Sequence, residues 1–152
     1  MKFTSDSVEE TIRLGEQLGR RLTGGEFIAL SGDLGGGKTH FAKGLAAGLG
    51  IKQEVTSPTF VLERIYDTDG SLFFHHFDFY RLASFDQEMQ SEIADLLEDP
   101  KNIITIEWAT NVPESIPHEY LQVIFEYKND ESREITLKAK GAAYARLMEG
   151  LK

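Results

Sequence analysis

The apolar positions of this chain change period several times, and each change marks an element. From Ser7 onward, Val8, Ile12, Leu18 and Leu22 fall along one side of a helix. Ser7-Val8-Glu9-Glu10 has capping-box spacing, with Ser7 as N-cap and Glu10 reaching back. Gly15 and Gly19 lie on the same side and predict close approach to another backbone, and Thr23-Gly24-Gly25 ends the helix. Glu26 to Ser31 is a short apolar run suited to a buried strand. His40 to Gly48 is rich in the helix formers Ala and Leu.

Val55 to Tyr66 and Ser71 to Tyr80 read as two strands around Asp67-Thr68-Asp69-Gly70, whose Asp-Gly pair predicts a hairpin. Ser84 to Glu98 returns to helical period, with Phe85, Met89, Ile93, Leu96 and Leu97 on one side, until Asp99-Pro100 stops it. Ile103-Ile104-Thr105-Ile106 is too short for a helix and suits a buried parallel strand. Tyr120 to Tyr127 and Arg133 to Ala139 alternate across Asn129-Asp130, and Ala142 to Leu151 closes the chain as a short helix. Pro58, Pro100, Pro113 and Pro117 punctuate elements and mark no domain border. The pattern predicts one α/β domain with antiparallel additions over all 152 residues.

Charge narrows the partners. The formal net charge of −9 repels phosphate backbones, so nucleic acid contact needs a local basic patch or a partner, and no membrane is expected to be bound. With no cysteine, disulfides and zinc–thiolate sites are excluded. The N-terminus enters polar sequence without the apolar stretch of a signal peptide, and a cytoplasmic location is expected.

The chemistry gathers between the first predicted strand and its helix. Gly32-Asp33-Leu34-Gly35-Gly36-Gly37-Lys38-Thr39 matches G-x-x-x-x-G-K-[ST], a phosphate-binding P-loop, in the strand–loop–helix setting that such a loop requires. Glycines let backbone N–H groups turn toward phosphate oxygens, and the helix adds its positive end. Lys38 would reach the β- and γ-phosphates, and Thr39 would ligate Mg²⁺. Such a site needs a nearby carboxylate, and two acids end apolar strands: Asp78 and Glu107. Either could instead cap its strand. Thr56-Ser57-Pro58-Thr59 offers hydroxyls where many nucleotidases hold a loop that senses the γ-phosphate, or is an ordinary strand start. Adjacent strand residues face opposite ways, so His75 and His76 cannot share one ion; each is read as a packed or exposed histidine. Trp108 is either core or site lining. Arg81 is a candidate phosphate contact or a surface ion-pair partner. The chain lacks the Asn-Lys-x-Asp guanine reader, which favours ATP.

The P-loop, Ser57-Pro58-Thr59-Phe60, His76-Phe77-Asp78-Phe79-Tyr80-Arg81 and Ile106-Glu107-Trp108 stand in that order over most of the chain. Together they resemble the bacterial TsaE family of ATPases, required for threonylcarbamoyladenosine formation in tRNA. The resemblance implies a P-loop nucleotidase fold: a mixed sheet with a parallel core and antiparallel edge strands, and helices on both faces. It implies ATP and Mg²⁺ as cofactors, slow hydrolysis by the isolated protein, and action on tRNA through the partners TsaD and TsaB. It also implies that Asp78 and Glu107 serve the metal and the attacking water and that Thr11 lies near the base; Thr59 and Trp108 stand beside these as candidate nucleotide contacts read from the residues. Family members usually carry Thr or Ser at the position of His40, so a hydroxyl toward the α-phosphate is lost while the backbone N–H remains. Ala109-Thr110 replaces the Pro or Ala followed by Glu that the family often has after the Glu-Trp pair. Two other readings share the loop: a small-molecule kinase, for which Phe60 to Thr110 offers only Arg64 and Arg81, and a module that senses ATP without hydrolysing it.

Overall fold

A computed structural model of the chain describes every residue except Phe60, Val61, Asp69, Ala83 and Asp130. Its centre is a seven-stranded sheet. In chain order the strands are β1 (Lys2–Ser5), β2 (Phe27–Gly32), β3 (Glu63–Asp67), β4 (Phe73–Asp78), β5 (Asn102–Glu107), β6 (Tyr120–Tyr127) and β7 (Arg133–Lys140), and they lie side by side as β1-β7-β6-β2-β5-β4-β3. The four middle strands, β6, β2, β5 and β4, run parallel, while at the edges β3 pairs antiparallel with β4, β7 with β6, and β1 with β7. The expected parallel core with antiparallel edges is what the chain builds.

The apolar run of β2 explains its central place, because a strand covered on both faces has no polar side to show. Ile28 and Leu30 point to one face with Phe41 and Leu45 of helix α2 (Lys38–Gly48) and Leu14 and Leu18 of α1 (Val8–Gly19). Phe27 and Ala29 point to the other, where Ile93 of α3 (Gln87–Glu98) packs with Ile104 and Ile106. The short α4 (Ala142–Met148) joins the first face through Tyr144, whose hydroxyl accepts a bond from the Phe27 N–H at 2.9 Å. Helices thus cover both faces. None among the described residues is long and apolar enough to cross a membrane.

The predicted backbone approach of α1 is reciprocal. A methyl group on Gly15 or Gly19 would strike the carbonyls of Phe41 and Leu45, and one on Gly44 or Gly48 would strike those of Ile12 and Glu16. Two helices in such contact leave little room for α2 to shift, which fixes the loop before it.

Several boundaries differ from the sequence reading. Among the described residues, the run from Val55 to Tyr66 is strand only over β3; Leu62 instead turns back, its N–H donating to the Pro58 carbonyl at 2.8 Å. Phe60 and Val61 of that run lie outside the described residues, as do Asp69 of the hairpin and Asp130 of the β6–β7 connection. Val8 is exposed, because α1 turns Thr11, Leu14, Gly15 and Leu18 inward. The Ser7 cap holds, with its hydroxyl accepting from the Glu10 N–H at 3.1 Å, but Glu10 reaches the N–H of Asp6. Helix α3 starts later than Ser84, at an Asp86 cap accepting from the Met89 N–H at 3.0 Å.

Candidate functional site

β2, β4 and β5 all end on one side of the sheet, and the loop Gly32 to Gly37 leaves β2 there to enter α2. A crevice beyond the carboxyl ends of parallel strands is the usual ligand site in such sheets. Here it is a cavity of about 420 Å³, lined by Leu34 to His40, Ser57, Thr59, Asp78, Tyr80, Arg81, Glu107 and Trp108. A larger cavity of about 700 Å³, between Arg21, Glu26, Glu119 and Arg146, contains none of the loop and none of the strand-end acids. The loop and both strand-end acids belong to the smaller one.

The loop has the backbone that its spelling predicts. Gly37 caps α2 in the left-handed region, φ +109°, and offers no side chain to the helix N-terminus. The first amides of a helix have no partners within it, so this end is left to an anion. The front of the loop is pinned to β6: the Asp33 carboxylate accepts the Tyr127 N–H at 2.9 Å, and the Leu34 carbonyl accepts the Tyr127 hydroxyl at 3.1 Å. Asp33 therefore acts on the loop's shape and not on the cavity.

Lys38 lies 4% exposed in the mouth of the loop, its ammonium donating to the carbonyls of Gly32 at 3.0 Å and Asp33 at 2.6 Å. The same ammonium sits 4.1 Å from the centre of the Trp108 ring, a cation–π contact. Burial pushes its pKa down, and the charges of Glu107, Asp78 and Asp33 oppose that shift. Trp108 itself is left-handed, φ +60°, an uncommon conformation for a bulky side chain. Its ring meets Tyr80 at 4.9 Å. The open choice for Trp108 resolves toward lining the site.

The two acids stand side by side, since Asp78 of β4 pairs with Glu107 of β5 in the register. Both are buried. The Thr39 hydroxyl lies 2.9 and 3.1 Å from the two oxygens of Glu107. The Thr59 hydroxyl donates to Asp78 at 2.6 Å, and the Tyr80 N–H donates to its other oxygen at 2.8 Å. Of the hydroxyls singled out in the sequence, those of Thr39 and Thr59 each meet a strand-end acid, while that of Ser57 lies against Thr59.

The remaining candidates divide. His40 borders the cavity; burial and then the charges of Lys43 and Arg133 push its pKa down. Gly32 contributes its carbonyl to Lys38. Thr11 is buried against Gly37 and does not line the cavity, its hydroxyl 2.8 Å from that of Ser5. Arg81 lines the cavity and Arg64 does not. The histidines face opposite ways as expected: His75 toward Glu63 and Asn102, His76 toward Glu107. Neither is exposed, and each has a polar partner, which the sequence reading left unassigned. Tyr80 was missed as well, although its place two residues beyond Asp78 puts it at the same strand end.

The donor set fits a magnesium–nucleotide pair. It offers hard oxygens, two carboxylates and a hydroxyl, beside an uncapped helix end. Among the described residues no group of three or more His, Cys, Asp or Glu could hold a metal ion alone. Mg²⁺ is commonly held by one or two carboxylates together with substrate phosphates, so the set suits an ion arriving with its nucleotide.

The family described as "Threonylcarbamoyl adenosine biosynthesis protein TsaE" matches residues 5–135. Curated proteins named tRNA threonylcarbamoyladenosine biosynthesis protein TsaE are similar over most of their length. The one from Bacillus subtilis is 37% identical over 99% of this chain and 93% of its own. That from Treponema pallidum is 38% identical, covering 90% and 99% respectively. The crystal structure of YdiB from Bacillus subtilis superposes with a TM-score of 0.83 at 33% identity, covering 99% of this chain and 93% of that one.

Proposed function

The chain belongs to the TsaE family of tRNA threonylcarbamoyladenosine biosynthesis proteins, and on that premise we propose that it binds ATP with Mg²⁺ and hydrolyses it slowly. We propose further that the hydrolysis serves tRNA modification through TsaD and TsaB, with the tRNA handled mainly by those partners. The observation that carries the reading is the Thr39 hydroxyl within 3.1 Å of both Glu107 oxygens, at the mouth of a glycine loop that holds Lys38.

Thr39 and Glu107 would hold the metal, and Asp78 stands beside them. Mg²⁺, when bound, supplies neutralisation of phosphate charge. Lys38 exchanges the Gly32 and Asp33 carbonyls for phosphate oxygens, which relieves the cost of its burial. The amides at the start of α2 accept the anion. Asp78 is tied to the Thr59 hydroxyl rather than to the P-loop, which suits it to orient the attacking water when the loop carrying Thr59 takes its place over the nucleotide.

Arg81 is the one arginine lining the cavity among the described residues. Arginines over a transferred phosphoryl group, in cis or from a partner, are worth roughly 10³–10⁵ in rate. A partner that completes this charge would turn a slow enzyme into a regulated one. The test is phosphate release measured alone and with TsaD and TsaB, with and without tRNA. Slow release alone and a clear rise with the pair are expected. Rapid turnover alone, unchanged by the pair, would contradict the partner-dependent reading.

A further inference from the structure

His76 and His75 are neighbours on β4, yet they are held in different ways. His75 uses both ring nitrogens: Nδ1 lies 2.8 Å from Glu63 and Nε2 3.0 Å from the Asn102 side-chain oxygen. That ties β3, β4 and β5 together, as a structural histidine does. His76 is 0% exposed and has one polar partner, with Nε2 2.8 Å from Glu107 Oε1. Among the described residues its Nδ1 has no partner, and neither has the hydroxyl of Thr105, the residue opposite it in the register. A stack on Phe74, 6.2 Å between ring centres, fixes the plane of the ring.

These facts decide which way the bond runs. A carboxylate oxygen accepts, so Nε2 carries the proton and donates. The single polar act of this ring is to donate to Glu107. The terminal torsion of a glutamate is broad and leaves its carboxylate free to turn. The Thr39 hydroxyl spans both oxygens but brings one proton, which leaves the plane of the group underdetermined.

We propose that His76 is a positioning residue that locks the Glu107 carboxylate against Thr39 and thereby sets how strongly Mg²⁺ strengthens nucleotide binding. The inference rests on the ATP reading above and deepens it. Partners one step behind a metal ligand are commonly worth 10- to 100-fold in metal affinity.

The test is calorimetric ATP binding with and without Mg²⁺, in wild type, His76→Leu and His76→Gln. Leu is expected to cut the Mg²⁺-dependent gain by roughly 10- to 100-fold while metal-free ATP affinity stays as in wild type. Gln, whose amide nitrogen reaches about as far as Nε2, should restore most of the gain. Should the Leu protein not fold, Asn, whose amide stops short of Glu107, replaces it in the same comparison. Ring-nitrogen NMR of the nucleotide-free wild type should find the His76 proton on Nε2. A full Mg²⁺ gain in the Leu or Asn protein, an equal loss with and without Mg²⁺, or an Nε2 that carries no proton overturns the role of His76 alone. A wild type with no Mg²⁺-dependent gain overturns the ATP reading and this inference with it.

Discussion

Asp78 and Glu107 end adjacent strands, pair in the register and are almost equally buried, but they answer to different parts of the molecule. Glu107 is held by Thr39 on α2 and His76 on β4, both inside packed elements. Asp78 is held by Thr59, from the irregular stretch between α2 and β3, and by the backbone of Tyr80 beyond its own strand. One acid is built into the framework that α1 and α2 brace by backbone contact. The other is tied to connecting chain. Two carboxylates side by side thus divide into an acid fixed by the framework and an acid whose setting follows a loop.

The largest effect should come from the acids themselves. Glu107→Gln and Asp78→Asn should each lower partner-stimulated hydrolysis by about 100-fold or more, the scale of positioned acid–base groups. They should part in binding: Glu107→Gln abolishes the Mg²⁺-dependent gain in ATP affinity, and Asp78→Asn keeps it. Equal losses of that gain would erase the distinction between the two.

The hydroxyls sharpen the comparison at the next level. Thr59→Val removes a bond to a charged group, worth roughly 1.5–3 kcal/mol, so hydrolysis should fall about 10- to 100-fold with Mg-ATP affinity preserved. Thr39→Val should do the reverse and weaken Mg-ATP binding first. Calorimetry beside a phosphate-release assay separates the two patterns.

Trp108 offers a spectroscopic check without mutation. Its ring now faces the Lys38 ammonium, so a phosphate that draws Lys38 away changes the field at the indole. As the one tryptophan it should shift its fluorescence on Mg-ATP binding, and the shift should shrink when Mg²⁺ is chelated. An unchanged spectrum at saturating ATP would return Trp108 to packing. The smallest effect belongs to His40→Thr, which restores a hydroxyl at the cavity edge. A bond to a charged α-phosphate oxygen, at the lower end of the roughly 1.5–3 kcal/mol of such bonds, should tighten ATP binding by about 10-fold.

What the sequence made legible was local. The P-loop needs its glycines, lysine and threonine in one stretch, so the motif alone locates it. β2 and β5 were readable because their apolar runs are continuous, and the β6–β7 pair because it alternates cleanly. β1 was not, since Lys2-Phe3-Thr4-Ser5 is four residues long and its partner β7 lies at the other end of the chain. Among the described residues, the strand expected from Val55 begins only at β3, because β-rich composition does not supply a neighbour and it is β3 that lies beside β4. Within the site, Asp78 and Glu107 were found by their place at strand ends. The part of His76 was hidden, because its meaning depends on β5 lying beside β4, which no local pattern states.

The central claim is that this cavity is a Mg-ATP site, and Lys38 tests it most directly. Lys38 packs in the loop mouth and not in the apolar core, so Lys38→Ala should leave the fold intact. Titrating ATP with Mg²⁺ into wild type and Lys38→Ala by calorimetry is the measurement. The account predicts binding by the wild type and a loss of roughly 10-fold or more in the variant, the scale of a bond to a charged group. Near-normal ATP affinity in Lys38→Ala at moderate salt would contradict it.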